Sequence, residues 1–526
     1  MANWLSTEAF TRLTDYATET VNPGWKVVGL NEIYTLTIMT ALRAKLQEKY
    51  KSKCLGSSIL IGGSGSHKTQ NCIFPTVDLN DNALQVITDP KWELYDHYSG
   101  KIRKIAFNGS RTDISSKWNP LIEIIDLWKK NKKQECDDSI TSICDVLIPQ
   151  SDDINAYFTN TSNKWLRGFI YFWLETKMYE TKTFNIYNLI AHSISVDTKK
   201  FLPILRLCST SLLYLSDFDD SQQSKNVQSV FISKLSPFLN ENIKSITSEN
   251  NFNISDLFNA PCKVFIKIDT SNKNSAINTL STLLMKTIYN KARDFLSEKR
   301  LAALPIPLQY VMEEFGNLPK IDFVPKIFSL NRGENIFALL VLQSKSQVIQ
   351  TYGEHVYQEI FDSCQCLFVF ALTNVEFARE LEAMSGTSEV ERKTFTKDKN
   401  ENDSKSESIS KDKEAKVSAE DFLKKNSNEF IFIVKNETPF KCRFIPGWMI
   451  EEKKKKAESE DKDDKNKKEK SDDNSTQIFG TLWVRAKPKR KENAQNELLS
   501  FKTKKEFDSW LKDNEEKYDI VSKFNL

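Results

Sequence analysis

One stretch constrains this chain more than any other. The apolar run Ser58-Ile59-Leu60-Ile61 passes directly into Gly62-Gly63-Ser64-Gly65-Ser66-His67-Lys68-Thr69, and a helical pattern follows. A strand, a loop of small residues and a helix, in that order, let backbone N–H groups converge on phosphate oxygens while the helix start adds positive potential. In that frame the Lys68 ammonium reaches the outer phosphates and the Thr69 hydroxyl is placed to ligate Mg²⁺. His67 departs from the GxxxxGK[ST] pattern, standing where its second glycine belongs. A Cβ there is expected to crowd the loop, although an imidazole can also donate to a phosphate. The competing reading is a Gly/Ser turn that only leads into a helix.

A bound triphosphate needs acids opposite the loop. Glu313-Glu314 close the strand-like run Leu308-Gln309-Tyr310-Val311-Met312. At the carboxyl end of a parallel strand, one carboxylate can act on Mg²⁺ and the other on the attacking water. Without the loop the pair would read as a solvated corner. The run Phe337 to Leu342 ends in Gln343, an amide suited to sensing a γ-phosphate, and Arg332 precedes that run on a loop suited to a finger reaching a neighbouring subunit.

At 526 residues the chain exceeds one compact core, and its 33 Phe, 15 Tyr and 10 Trp supply a globular interior. The net charge of +3 draws the whole molecule neither to nucleic acid nor to an anionic membrane, so any such binding must be local. Nine scattered cysteines without a CxxC pair read as buried thiols in a reducing compartment, and four histidines make a His-rich zinc site improbable. No signal peptide or membrane span is read from the N-terminus or from Ile33 to Leu46. Strand-like runs alternate with helical ones up to Glu391, the pattern of an α/β fold with buried parallel strands. From about Glu123 to Phe258 the pattern is helical, with Trp165, Phe169, Phe172 and Trp173 forming an aromatic stripe that reads as core rather than as a base-stacking surface. Lys393 to Lys416 and Glu451 to Thr476 are mixed-charge tracts expected to be mobile; in the second, nine lysines face ten acids, which cancels most attraction for DNA.

Taken in order, these pieces resemble the conjugative coupling ATPases of type IV secretion, the TraG/TraD-type DNA-transfer proteins. The resembling segments are Ile61 to Thr69, Asp89-Pro90-Lys91-Trp92-Glu93 (a form of the family's DPKGE), Trp118-Asn119-Pro120-Leu121, Met312 to Lys320, Asn331-Arg332-Gly333 through Gln343-Ser344, Tyr352-Gly353 and Met384-Ser385-Gly386. The resemblance covers about residues 56 to 450. It implies a RecA-like P-loop NTPase core with a mostly parallel sheet, an all-α insertion domain after the NPL segment and a C-terminal tail. The expected boundaries are a helical lead-in at 1–55, a nucleotide-binding domain at 56–122 and 259–392, the insertion at 123–258, a mobile linker at 393–416, strands returning to the core at 417–450, a disordered tract at 451–476, and a strand and helix at 477–526.

The resemblance further implies ATP and Mg²⁺ as cofactors and a homo-oligomeric ring, a hexamer, that passes DNA or a relaxase–DNA complex to secretion-channel components. Gly62 to Thr69 would hold the nucleotide, Thr69 and Glu313 the metal, and Lys68, Glu314, Gln343 and Arg332 would carry catalysis. Three positions depart from the family: His67 and Trp92 replace glycines, and Glu313 replaces an Asp. The extra methylene of Glu313 is expected to move its carboxylate by about a bond length and slow turnover. Lacking the family's N-terminal membrane helices, the chain is expected to be cytoplasmic, or peripheral at the inner face of the cell membrane on a separate anchor protein. Two rivals are a catalytically degenerate adaptor of the same shape and a segregation-type DNA pump, the latter leaving the Asp89-Pro90-Lys91 and Asn119-Pro120-Leu121 segments unexplained.

Overall fold

Seven short apolar runs become the parallel strands of one sheet: β1 (Ser58–Ile61), β2 (Leu84–Thr88), β3 (Lys104–Phe107), β4 (Cys262–Ile266), β5 (Leu308–Met312), β6 (Ile336–Leu342) and β7 (Cys366–Val369). The structure, a computed structural model, describes residues 56–443 apart from gaps at 81, 153–155, 181–182, 273–274, 398–404, 424–428 and 435–438. In a separate C-terminal unit it describes 482–488, 497–501, 510, 512 and 518–525. The expected lead-in over 1–55 and the charged tract over 451–476 lie outside the described residues.

All residues of β1, β2, β4, β6 and β7 are buried, as parallel strands covered on both faces must be. The two-residue period of a strand divides them between two cores. Ile59, Ile61 and Val86 enter one apolar cluster, whereas Leu60, Ile87, Val311 and Leu339 enter the other. Each such side chain contributes roughly 1.5–3 kcal/mol. In the sheet, β1 lies between β6 and β7, while β2 lies beyond β6 and β5. The winding therefore reverses beside β1 and opens a crevice at the carboxyl ends of β1, β5 and β6.

Between β3 and β4 the chain leaves the sheet for a block of helices from Pro120 to Ile246. Its first helix begins with Pro120 at the opening position, and the Asn119 side chain accepts from the Leu121 N–H. The outgoing and returning segments lie side by side: Trp118 N–H donates to the Ile246 carbonyl (2.7 Å) and Asn251 N–H to that of Lys117 (3.0 Å). At the centre of the block the helix Ala156–Glu175 buries Trp165, Phe169, Phe172 and Trp173. Phe169 meets Phe201 and Phe218, each at 5.5 Å, so the aromatic stripe is core.

After the helix Val375–Ser385, β8 (Thr387–Lys397) and β9 (Lys405–Ala415) form an antiparallel hairpin. Of the mobile linker expected at 393–416, residues 393–397 and 405–415 lie in this hairpin and 398–404 lie outside the described residues; the register sets Glu389 opposite Lys413. β10 (Glu429–Val434) then pairs antiparallel with β7 and with β11 (Phe440–Arg443), extending the main sheet.

The C-terminal unit is a three-stranded antiparallel sheet of β12 (Leu482–Pro488), β13 (Glu497–Phe501) and β14 (Tyr518–Asn525). A strand and a helix were expected over 477–526, with Phe507, Trp510 and Leu511 on one helical face. Trp510 is helical, and Phe507 and Leu511 lie outside the described residues. The end of the chain is a strand, since Tyr518, Ile520 and Phe524 recur with the period of a strand. No helix among the described residues is long and apolar enough to cross a membrane.

Candidate nucleotide site

The loop after β1 is threaded between neighbouring strand ends. Gly62 N–H donates to the Leu342 carbonyl at the end of β6 (3.2 Å), and Gly63 N–H donates to that of Ala371 just beyond β7 (2.9 Å). A Cβ on Gly62 would fall 2.4 Å from the Phe370 Cβ, so only glycine passes there. Gly65 turns the loop with φ +73°, and His67 continues it in the left-handed region at φ +56°. A glycine is the ordinary occupant of such a backbone; histidine is among the few side chains that adopt it, at a cost of roughly 1 kcal/mol. His67 is exposed and lines the cleft beside Lys68.

Lys68 folds back into the loop. Its Nζ donates to the carbonyls of Gly62 (2.7 Å) and Gly63 (2.8 Å) and to Ser66 Oγ (3.2 Å). Burial pulls its pKa down to about 8, opposed by the charges of Glu313 and Glu314. The ammonium remains charged at neutral pH and lies against the loop carbonyls of Gly62 and Gly63.

Across the crevice, β5 delivers the acid pair. The Thr69 hydroxyl donates to Glu313 Oε1, while Thr88 Oγ1, at the end of β2, donates to the Glu313 carbonyl (3.2 Å). Glu313 is 2% exposed, and its second carboxylate oxygen, Oε2, is buried without a hydrogen-bond partner. Burial pushes its pKa up to about 7 against the opposing Thr69 hydrogen bond. The methylene that distinguishes Glu313 from an Asp therefore does not take the carboxylate away from Thr69. Glu314 follows in the left-handed region at φ +51° and turns its side chain into the same crevice, with Lys91 Nζ 3.8 Å from its Oε1.

These groups line one open cleft of about 230 Å³: the loop from Ser64 to Thr69, Glu313, Glu314 and half-buried Gln343, together with Lys91 and Glu93. Gly62 and Gly63 lie beneath it, fixing the loop. The backbone of Arg332 lies at the opposite end of β6 from this cleft. It sits in the turn Asn331–Glu334 that enters β6, whereas Gln343 follows that strand. Seven residues of extended chain separate the two ends by about 20 Å.

Lys91 and Glu93 had no role assigned from the sequence, although the Asp89-Pro90-Lys91-Trp92-Glu93 segment at a strand end marked the place. Trp92, at a glycine position of the family pattern, has φ +66°. It is buried and stacks on Tyr95 with centroids 4.8 Å apart. Asp89 is fully buried; burial raises its pKa to about 6, opposed by backbone N–H groups such as that of Tyr95, 2.8 Å from its Oδ2. Both glycine replacements thus keep the backbone conformation a glycine would supply.

A larger cavity of about 650 Å³ lies at the root of the helical block, between Trp118 and Lys291. It is lined by lysines and acids of both signs and contains no acid pair facing a glycine loop. Among the described residues no group of three or more His, Cys, Asp or Glu is placed to hold a metal ion.

The sequence profile of the type IV secretory system conjugative DNA transfer family matches residues 48–472. No functionally curated protein sequence matches the chain. Among solved structures, the bacterial conjugative coupling protein TrwB in an unbound monoclinic form is similar at 15% identity and TM-score 0.55, covering 76% of this chain and 91% of that one. The plasmid coupling protein TrwB in complex with ADP and Mg²⁺ is similar at 16% identity and TM-score 0.54, covering 74% of this chain and 85% of its own. The same protein with a non-hydrolysable ATP analogue gives the same identity, coverage and score. At these identities the likeness is one of fold.

Proposed function

The chain belongs to the type IV secretory system conjugative DNA transfer family, and from that premise we propose that it is a coupling ATPase, which recruits DNA or a relaxase–DNA complex and drives its transfer by ATP hydrolysis. The observation that carries this reading is the hydrogen bond from Thr69 to Glu313, which joins residues 244 positions apart beside a buried carboxylate oxygen with no partner. A helix start, a hydroxyl and an unsatisfied carboxylate beside a glycine loop form a donor set for a nucleotide phosphate and a hard divalent cation. The fold is also that of TrwB, whose structures hold ADP with Mg²⁺ and an ATP analogue.

In this reading Gly62 to Thr69 wrap the phosphates. Lys68 exchanges its loop carbonyls for phosphate oxygens without changing charge. Thr69 and Glu313 would hold Mg²⁺, which supplies charge to offset that of the transferred phosphoryl group. Glu314 orients and deprotonates water, and Gln343 meets the γ-phosphate. Arg332, remote from the cleft of its own chain, acts on a neighbour's nucleotide within a homo-oligomeric ring, which makes hydrolysis depend on assembly. The ring delivers its substrate to the secretion channel, docking at the membrane through a separate anchor protein.

The test is ATP turnover with and without single- and double-stranded DNA, on material of known oligomeric state, for the wild type and for Lys68→Ala and Glu314→Gln. DNA-stimulated turnover lost in both variants is expected. Equal turnover in all three proteins sinks these roles, and no binding of Mg·ATP sinks the reading of the cleft.

A further inference from the structure

Of the groups lining the cleft, Lys91 is the one whose surroundings suggest a task not yet assigned. Its side chain is 61% exposed, while that of Glu314 is 19% exposed. The Nζ to Oε1 separation of 3.8 Å is the ion pair of Glu314 among the described residues. The backbone beneath Lys91 is held on both sides. Asp89 N–H donates to the Ile266 carbonyl (2.9 Å) and Asp89 Oδ2 accepts from Tyr95 N–H (2.8 Å). The Pro90 carbonyl accepts from Lys267 Nζ, and buried Trp92 closes the segment in the left-handed conformation. A flexible lysine on a fixed base is thus presented to a carboxylate across the mouth of the cleft.

We propose, resting on the nucleotide-site reading above, that Lys91 is a positioning residue that holds the Glu314 carboxylate toward the water-binding side of the cleft. Glu314 needs such a partner. It stands at the end of β5 in a left-handed turn, with its own carbonyl taken by Asn317 N–H (2.7 Å); among the described residues Lys91 is the side chain in ion-pair contact with its carboxylate, while the Lys68 charge acts on it from the loop at longer range. A carboxylate left to rotate there spends less of its time aimed at a water, and orientation errors of an ångström in such groups cost rate steeply. Lys68 takes the phosphates from within the loop, so the two lysines divide the work: one grips the nucleotide and the other aims the base.

The test uses the full chain with Mg·ATP and DNA. Lys91→Ala is expected to lower kcat at least about tenfold with KM for ATP within about twofold, and Lys91→Arg to restore most of the loss. Combined with Glu314→Gln, Lys91→Ala is expected to add no further loss, because the group it aims is already gone. An unchanged kcat, a raised KM at constant kcat, or losses that multiply in the double variant would each overturn the proposal. So would a melting temperature lowered by several degrees, which would make Lys91 a structural residue. A wild-type chain that hydrolyses no ATP sinks the nucleotide-site reading, and this inference with it. Turnover in the wild type that Lys91→Ala leaves intact sinks this inference alone.

Discussion

The nucleotide cleft and the helical insertion meet their polar groups in opposite ways. In the insertion, helix starts are capped by side chains: Asn185, Asp197, Ser221 and Asn240 each accept from a backbone N–H of the first turn. Its left-handed non-glycine residues, Asn131 and Lys177, follow helix ends, where that conformation is ordinary. The cleft instead places His67, Trp92 and Glu314 in the left-handed region just before helical turns rather than after them. It also leaves Glu313 Oε2 buried without a partner, and in the neighbouring Asp89–Glu93 segment Asp89 Oδ1 and Trp92 Nε1 are buried without partners as well. The unpartnered Glu313 oxygen is one that a ligand in the cleft can relieve, and the insertion is free to be an ordinary core.

The contrast can be broken from either side, and the largest effect belongs to the insertion. Phe169→Ala removes a fully buried ring from the aromatic core and is expected to cost about 3–5 kcal/mol of stability, read by urea unfolding, with nucleotide binding retained by the folded fraction. A cost below about 1 kcal/mol would show that the stripe is not core. Next, Lys68→Ala is expected to lower ATP turnover about 100- to 1000-fold, roughly 3–4 kcal/mol of transition-state stabilisation, with little change in melting temperature.

Third comes Glu313. Its carboxyl pKa is raised from 4.5 to about 7, so the folded chain holds that proton more tightly than the unfolded chain. The stability this contributes is fully present below about pH 4.5 and is lost as pH rises through about 7. Glu313→Gln should therefore gain on the nucleotide-free wild type by on the order of 2 kcal/mol between pH 5 and pH 8, while losing the stabilisation that Mg·ATP gives. Unfolding midpoints at the two pH values decide it, and a pH-independent difference would mean that the buried carboxylate does not titrate as described. The smallest effect is that of His67→Gly, where relief of left-handed strain and added freedom of the unfolded chain nearly cancel, leaving the stability within about 0.5 kcal/mol. A loss above that would show that the His67 side chain itself braces the loop.

Much of this cleft was legible before any coordinates. Glycines, a Lys-Thr pair and a strand of apolar residues are local requirements of a phosphate loop, and local requirements leave local marks. The acid pair was legible because it also ends an apolar run. Lys91 and Glu93 were quoted within a motif but carried no chemistry of their own, since a charged pair in a loop has no period and no geometry until its neighbours are known. The hairpin of β8 and β9 escaped for a related reason: its paired residues face each other across the ladder, and composition alone reads such a tract as solvated.

By itself the sequence determined which apolar runs are buried strands, where the chain leaves the sheet for helices, and which loop is built of small residues between a strand and a helix. Those properties follow from periodicity and from residue types that no other backbone tolerates. Only the tertiary structure decided that Glu313 meets Thr69, that Lys91 faces Glu314, and that Arg332 stands at the far end of β6 from Gln343. Pairing between residues hundreds of positions apart is set by the order of strands in the sheet. That order is fixed by how whole faces of the chain pack together, a property that no local stretch of residues carries.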